Sequence, residues 1–323
     1  MIVGAGSVGT VLAGYLAHAG NAVTLVARPG YADALNEVPV RVFGISQIEV
    51  RVPVVGSLSS GGPDYLIMAV KAPDTEAALA AVEGVTPGTA LSLQNGITKD
   101  DQLAAAFGRD CVLGATSIIG ASMVKPGVAE HTFNGATLLG EIKGGSSERA
   151  ERLAALLSLA GLRAETVPDV LSAEWSKLCQ IVPAALLSAL SRLPYYQVCL
   201  TEPLARLFVE ITHECAAVAE VYGARVGDYP GFPIRTLIEL PEPAAVAAVV
   251  ERGRDLLARG MTAMKISMLQ DVEKGRRTEV EATAGEVVHR GIARGIPTPV
   301  TTVGYQIVRG IDQASQQSDV MKT

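Results

Sequence analysis

The sequence predicts an α/β fold: a first half built on a parallel sheet with helices on both faces, and an all-helical second half. Three observations carry this. Short β-rich apolar runs alternate with amphipathic runs through the first half of the chain. A glycine-rich turn leads directly into the first helix. From Asp169 onward, apolar residues recur with a period of about 3.6 and strand signals nearly vanish. Strand–helix–strand repetition implies parallel strands joined by crossover helices. The boundary falls near Pro168, giving domains 1–168 and 169–323.

In chain order, the strand candidates are Ala22–Ala27, Val50–Val55, Tyr65–Val70, Ala90–Leu93 and Val112–Ile119, all short aliphatic runs. Helices are expected between several of them, at Gly9–Ala19, Thr75–Val82 and Asp101–Phe107. Gly127–Ile142 reads as a β-hairpin turning at Asn134-Gly135, a favoured two-residue turn pair. Helix Ser147–Ala160 and a strand near Ala164–Val167 close this half. The second half offers helices at Leu171–Leu193, Pro203–Tyr222, Glu242–Met268, Arg277–Arg294 and Thr301–Arg309. The polar tail after Gly310 is expected to fray. Only Met1, Ile2 and Val3 precede the first glycine, so either the first strand is short or the start lies upstream.

Composition narrows the function classes. Of 323 residues, 49% are hydrophobic, enough to fill the cores of two domains. No uncharged apolar run reaches the roughly 18–20 residues of a membrane span. The most apolar stretch, Ile181–Leu190, is short and holds Pro183. No basic segment precedes Gly4, so a cytoplasmic location is expected. Cys111, Cys179, Cys199 and Cys215 are isolated and read as reduced thiols, with no metal site. A net charge of −6 without a basic stripe argues against nucleic acid.

Gly4-Ala5-Gly6-Ser7-Val8-Gly9 fits GxGxxG, and its position between an apolar fragment and an amphipathic helix gives the motif weight. Gly4 permits the tight turn, Gly6 lets backbone approach a pyrophosphate, and Gly9 lets the helix pack closely. Backbone N–H groups of Ser7 and Val8 at the helix start suit the phosphate anion. A Rossmann-type dinucleotide-binding domain follows. At the end of the second strand, where NAD-specific folds carry Asp or Glu to hold the ribose hydroxyl, the chain has Arg28. An arginine pairs with a 2′-phosphate, so NADPH is the expected cofactor; the alternative is a solvated surface arginine.

Hydride delivered to a carbonyl leaves an oxyanion that needs a proton, and Lys, His or Tyr can donate it. None of the four histidines, His18, His131, His213 and His289, has an evident acidic partner. Two lysines stand out. Lys71 follows strand Tyr65–Val70, at the sheet edge where ligands bind in open α/β folds. Lys177 precedes a strongly apolar helical stretch, where it either snorkels or serves function. Asn95 ends another strand and either binds a ligand or merely turns the chain with Gly96. Ser267 and Glu279 lie in a polar island that also reads as a charged helix end.

Together these pieces resemble the ketopantoate reductase (2-dehydropantoate 2-reductase) family. The matching segments come in order: the glycine turn, Val70-Lys71-Ala72, Leu93-Gln94-Asn95-Gly96, Trp175-Ser176-Lys177-Leu178, then Ser267-Met268-Leu269-Gln270-Asp271 leading to Thr278-Glu279. The resemblance implies a Rossmann domain and a helical domain with the active site in the cleft between them. It implies Lys177 as the catalytic proton donor, with Glu279 orienting the lysine or the substrate hydroxyl. Ser267 would contact the substrate carboxylate, Asn95 and Lys71 would position substrate and nicotinamide, and Arg28 would hold the 2′-phosphate. A homodimer follows family habit. The pattern departs at Ile181 and Ala185, where the family carries asparagines four and eight residues after its lysine. Gln180, one residue off register, would compensate only in a distorted helix. The implied reaction is NADPH-dependent reduction of a small 2-oxo acid, ketopantoate itself or a carbonyl with a larger apolar substituent. A catalytically weak NADPH-binding regulator is the reading from another class, and the retained Lys177 and Glu279 argue against it.

Overall fold

The structure, a computed structural model, describes residues 1–263 and 265–320. The chain divides into two compact units, Met1–Leu171 and Ser172–Thr323. The first contains β1 (Ile2–Val3), α1 (Ser7–His18), β2 (Leu25–Val26), α2 (Pro29–Asn36), β3 (Val40–Gly44), β4 (Ile48–Val50) and β5 (Val54–Val55). It continues with β6 (Tyr65–Met68), α3 (Thr75–Ala80), β7 (Thr89–Ser92), α4 (Lys99–Phe107), β8 (Val112–Lys125), β9 (Val128–Glu141), α5 (Glu148–Leu159) and β10 (Ala164–Thr166).

These strands form one sheet in the order β4-β3-β9-β8-β7-β6-β1-β2-β5, with β10 also paired to β9. Among the described residues, pairing is parallel except for β3–β4 and β8–β9. Neighbouring residues of one strand feed two separate apolar clusters. Ile2, Leu25 and Ile67 belong to one, and Val3, Val26, Leu66 and Met68 to the other. Side chains alternate across a strand, so both faces are covered, as a parallel sheet requires. The chain leaves β1 toward β2 on one side and returns to β6 on the other. The strand order therefore reverses at β1, where open sheets of this kind bind ligands.

Two expectations are corrected in this unit. The strand read at Val50–Val55 is not continuous: Val50 ends β4, which pairs with β3, and Val54–Val55 form β5, which pairs with β2. The hairpin does not turn at Asn134-Gly135. Its strands run fourteen residues each and turn at Pro126-Gly127, where Gly127 has φ 72°. Proline followed by a positive-φ glycine is the order of a type II turn. Asn134-Gly135 instead enters a β-bulge, with Gly135 and Ala136 opposite the single residue Ile118. The Asn134 side chain donates to Gly161 O at 3.0 Å and accepts from Arg163 N at 3.3 Å, tying β9 to the turn before β10. Helix α2 and strand β3 lay between the expected elements and carried no periodic signal strong enough to show them.

The second unit holds α6 (Val170–Ser191), which begins at the boundary, then α7 (Tyr195–Leu200), α8 (Glu202–Val221), a two-strand ribbon of β11 (Asp228–Tyr229) and β12 (Phe232–Pro233), and α9 (Ile234–Glu239). α10 (Glu242–Ala258), α11 (Ser267–Glu273), α12 (Glu286–Arg294) and α13 (Pro299–Val320) follow. Trp175, Phe208 and Tyr305 are among its largest buried side chains. Three helix limits differ from expectation. The span Glu242–Met268 is not one helix: α10 stops at Ala258, before Gly260 at φ 69°, and Met264 lies outside the described residues. The span Arg277–Arg294 opens with a π-helical turn, Glu281–Gly285, rather than α-helix. The tail after Gly310 does not fray where expected but continues α13 to Val320, and residues 321–323 lie outside the described residues. Among the described residues, no helix is long and apolar enough to cross a membrane.

Candidate functional site

The glycine turn sits at the carboxyl end of β1. Gly4 has φ 116°, and a Cβ there would lie 2.7 Å from Val70 N, so both backbone shape and the neighbouring strand end require glycine. A Cβ at Gly9 would lie 1.8 Å from Gly4 O, which makes helix and turn a single close-packed piece. Gly6 differs. Its backbone is extended, with φ −74° and ψ −173°, and a Cβ would meet no protein atom within 4 Å. Neither strain nor packing within the chain explains glycine at this position. Open space over the N-terminus of a twelve-residue helix with no acid in its first turn does, because an anion can approach the backbone of Gly6, Ser7 and Val8 there.

Three more candidates gather at the same sheet edge. Gly4 N donates to Val26 O at 2.9 Å, so the turn lies beside the end of β2, and exposed Arg28 follows two residues later, just before α2. On the other side of β1, Ala69 N donates to Val3 O at 2.7 Å, and exposed Lys71 follows. Beyond it, Leu93 N donates to Met68 O at 3.0 Å, and half-buried Asn95 follows. The glycine turn, Arg28, Lys71 and Asn95 thus occupy the ends of four adjacent parallel strands.

A buried relay, which the sequence reading missed, fixes two of these ends against each other. The Gln94 amide donates to the Thr75 hydroxyl at 2.7 Å, and that hydroxyl donates to Ala72 O at 2.8 Å. Ser92 Oγ donates to the Gln94 side-chain oxygen at 2.8 Å. The loop bearing Lys71 and the loop bearing Asn95 are therefore cross-braced by buried polar side chains that bond one another. Behind them, buried Lys99 pairs with buried Asp100 at 2.9 Å. No periodicity announces either feature.

In the second unit, Lys177 lies on α6 and is buried, with 6% of its surface exposed. A snorkelling lysine carries its ammonium into water; this residue does not fit that alternative. Its neighbours on the helix are pinned: Ser176 Oγ donates to Ser172 O at 2.6 Å and accepts from Gly227 N at 2.8 Å, and Trp175 stacks on Tyr222. Glu279 is also buried, two residues before the π-helical turn. Ser267 is exposed at the first residue of α11. Ile181 is half-buried and Ala185 buried on α6. Gln180 does not replace the missing amides. It accepts from Arg252 at 3.0 Å and donates to the Tyr195 hydroxyl at 3.4 Å, within a different cluster.

His131, noted in the sequence for lacking an acidic partner, is a buried structural residue. The Tyr15 hydroxyl bridges its Nδ1 at 2.7 Å and Ser46 Oγ at 2.6 Å. Its Nε2 faces Phe133 O at 3.2 Å, an acceptor only, so the neutral ring carries its proton on Nε2. Burial holds the His131 pKa below its ordinary value, against the pull of that carbonyl.

Comparison with known proteins bears on this arrangement. The family described as "Ketopantoate reductase PanE/ApbA" matches residues 1–144, and "Ketopantoate reductase PanE/ApbA C terminal" matches residues 169–312. The chain is 32% identical to a 2-dehydropantoate 2-reductase of Archaeoglobus fulgidus, over 96% of this chain and 97% of that one. It is similar to the crystal structure of a PanE/ApbA family ketopantoate reductase from Ralstonia eutropha, with TM-score 0.81 and 30% identity over 98% of both chains. It shares its fold with a D-mandelate dehydrogenase solved with NADH and anilino(oxo)acetate, with TM-score 0.84 at 21% identity over 98% of both chains.

Proposed function

The chain belongs to the ketopantoate reductase family, oxidoreductases acting on CH–OH groups, and from that premise we propose that it reduces 2-dehydropantoate to pantoate with NADPH. The observation that carries the cofactor half is the open cradle over Gly6 at the head of α1, flanked by Arg28. Backbone of Gly4, Gly6, Ser7, Val8 and Gly9 would hold the pyrophosphate, and the Arg28 guanidinium the 2′-phosphate. When bound, the nicotinamide supplies hydride to the substrate carbonyl.

The chain's own residues do the rest. Lys177 donates the proton that the carbonyl oxygen gains, and before transfer its positive charge stabilises the developing oxyanion. That effect is strong because the residue is withdrawn from water. Glu279 orients the lysine or the product hydroxyl. Ser267 holds the substrate carboxylate, and Lys71 and Asn95 position substrate and nicotinamide from the braced loops. No metal is needed for these roles. The product places the enzyme in pantothenate biosynthesis. Four cysteines outside any disulfide support a cytoplasmic setting, and a homodimer is part of the same reading.

A more apolar carbonyl substrate, suggested by Ile181 and Ala185, is disfavoured by relatives that match nearly the whole chain and bear the name 2-dehydropantoate 2-reductase. The deciding experiment is NADPH consumption with ketopantoate beside bulkier 2-oxo acids. Ketopantoate should give the highest kcat/KM; preference for a bulkier acid, or no oxidation with any of them, overturns the proposal.

A further inference from the structure

The residues that precede the π-helical turn are held by the last helix. One face of α13, at positions i, i+4 and i+7, carries Tyr305, Arg309 and Asp312. The Tyr305 hydroxyl donates to Glu281 at 2.8 Å, and Arg309 pairs with the other Glu281 oxygen at 3.3 Å. Asp312 is buried at 8% exposure and takes three hydrogen bonds from one residue. Thr278 N–H reaches both carboxylate oxygens at 3.2 Å, and Thr278 Oγ1 donates at 2.8 Å. The Thr278 hydroxyl in turn accepts from Val280 N at 3.2 Å. On the far side, Thr283 Oγ1 donates to Glu279 O at 2.9 Å, and Gly285 N donates to Val280 O at 2.8 Å. The backbone of Glu279 is thus clamped before and after, and the charge in the clamp comes from outside its own segment.

We propose that Asp312 is a positioning residue, fixing through Thr278 the backbone that presents the Glu279 carboxylate. This rests on the role of Glu279 in the reaction proposed above. A hydrogen-bonded carboxylate on a well-packed helix is a rigid support, and a group displaced by about 1 Å can lose on the order of a hundredfold in rate. Asp312 holds Thr278, and its removal is expected to reach Glu279 through that backbone.

The test uses the full chain with Asp312→Ala, Asp312→Asn, Glu279→Gln and the double variant Asp312→Ala/Glu279→Gln. Amide hydrogen exchange across 278–285 should rise at least tenfold in Asp312→Ala, while the first turns of α13 stay protected. Asparagine keeps one acceptor for Thr278 and should give a smaller rise. With ketopantoate, kcat should fall at least tenfold in Asp312→Ala, with KM changed less and NADPH affinity kept within twofold. The double variant should be no slower than Glu279→Gln alone. Unchanged exchange in Asp312→Ala overturns the proposal, and so do effects of the two substitutions that multiply. Should Asp312→Ala fail to fold, Asp312→Asn carries the same comparison. If the native chain consumes no NADPH with ketopantoate, the proposed function fails separately, and the exchange arm alone decides the anchor.

Discussion

Lys177 and Arg28 show what single residues are asked to do. In the proposed reaction the buried Lys177 ammonium protonates the product oxygen, a general-acid role that contributes on the order of a hundred- to ten-thousandfold. Lys177→Ala should therefore lower turnover by about that factor while NADPH affinity, followed by fluorescence titration, stays nearly constant; full turnover in the variant would move the proton donor elsewhere. Arg28 makes its contact with the 2′-phosphate alone in this reading. Arg28→Asp should shift the kcat/KM ratio of NADPH to NADH by roughly ten- to a hundredfold toward NADH, the scale of a charged hydrogen bond of about 1.5–3 kcal/mol. A ratio left where it was would remove Arg28 from the cofactor site. Arg28 stood out in the sequence because it ends a strand, and Lys177 because it precedes a strongly apolar helical stretch. Asp312 did not: its partner Thr278 lies in another segment, and nothing in a single chain of letters pairs the two.

Between residues and the whole lie the turns and ladders, and here the two glycines of the first turn separate cleanly. Gly9→Ala drives a methyl into Gly4 O and should lower stability by about 1–3 kcal/mol, read as a fall in Tm. Gly6→Ala meets no protein atom, so Tm should hold while NADPH binding weakens; a Tm loss equal to that of Gly9→Ala would show the open space to be illusory. The α1–β9 contact makes a second prediction. The folded-state pKa of His131 lies below its unfolded value, so near that unfolded value the denatured chain binds the proton and the folded chain does not. Stability should accordingly decline as pH falls below about 6.5 and down through the folded pKa. His131→Gln should flatten that decline between pH 6.5 and 5 in urea titrations; an identical slope would assign the titration to other groups. Turn chemistry also marks the limit of what the sequence revealed at this scale. Asn134-Gly135 has the composition of a hairpin turn, yet Pro126-Gly127 took the turn, and the asparagine bridges to Gly161 and Arg163 instead. Likewise Gly275 and the polar run around it hinted at a break, but the side chains that bond Thr278 and Glu281 around the π-helical turn, Tyr305, Arg309 and Asp312, lie far along the chain.

At the scale of the molecule, alternation of strand and helix in one half and helical periodicity in the other were enough to read the architecture, because covering both faces of a parallel sheet leaves a strong apolar signature. The sheet's strand order was not legible, since β3 pairs with β9 across a long intervening stretch. A nucleotide that binds only the folded chain should stabilise it by mass action, by about 2.7 kcal/mol at a hundred times Kd, and so raise Tm. NADPH should raise Tm more than NADH at equal concentration; equal shifts would argue against a 2′-phosphate contact. The late arrival of β9 has a further consequence. During synthesis on the ribosome, residues 40–44 emerge long before residues 128–131, their parallel neighbour. Until then the nascent chain displays an unclaimed strand edge to whatever else is in the cell, covered only by its local antiparallel partner at 48–50.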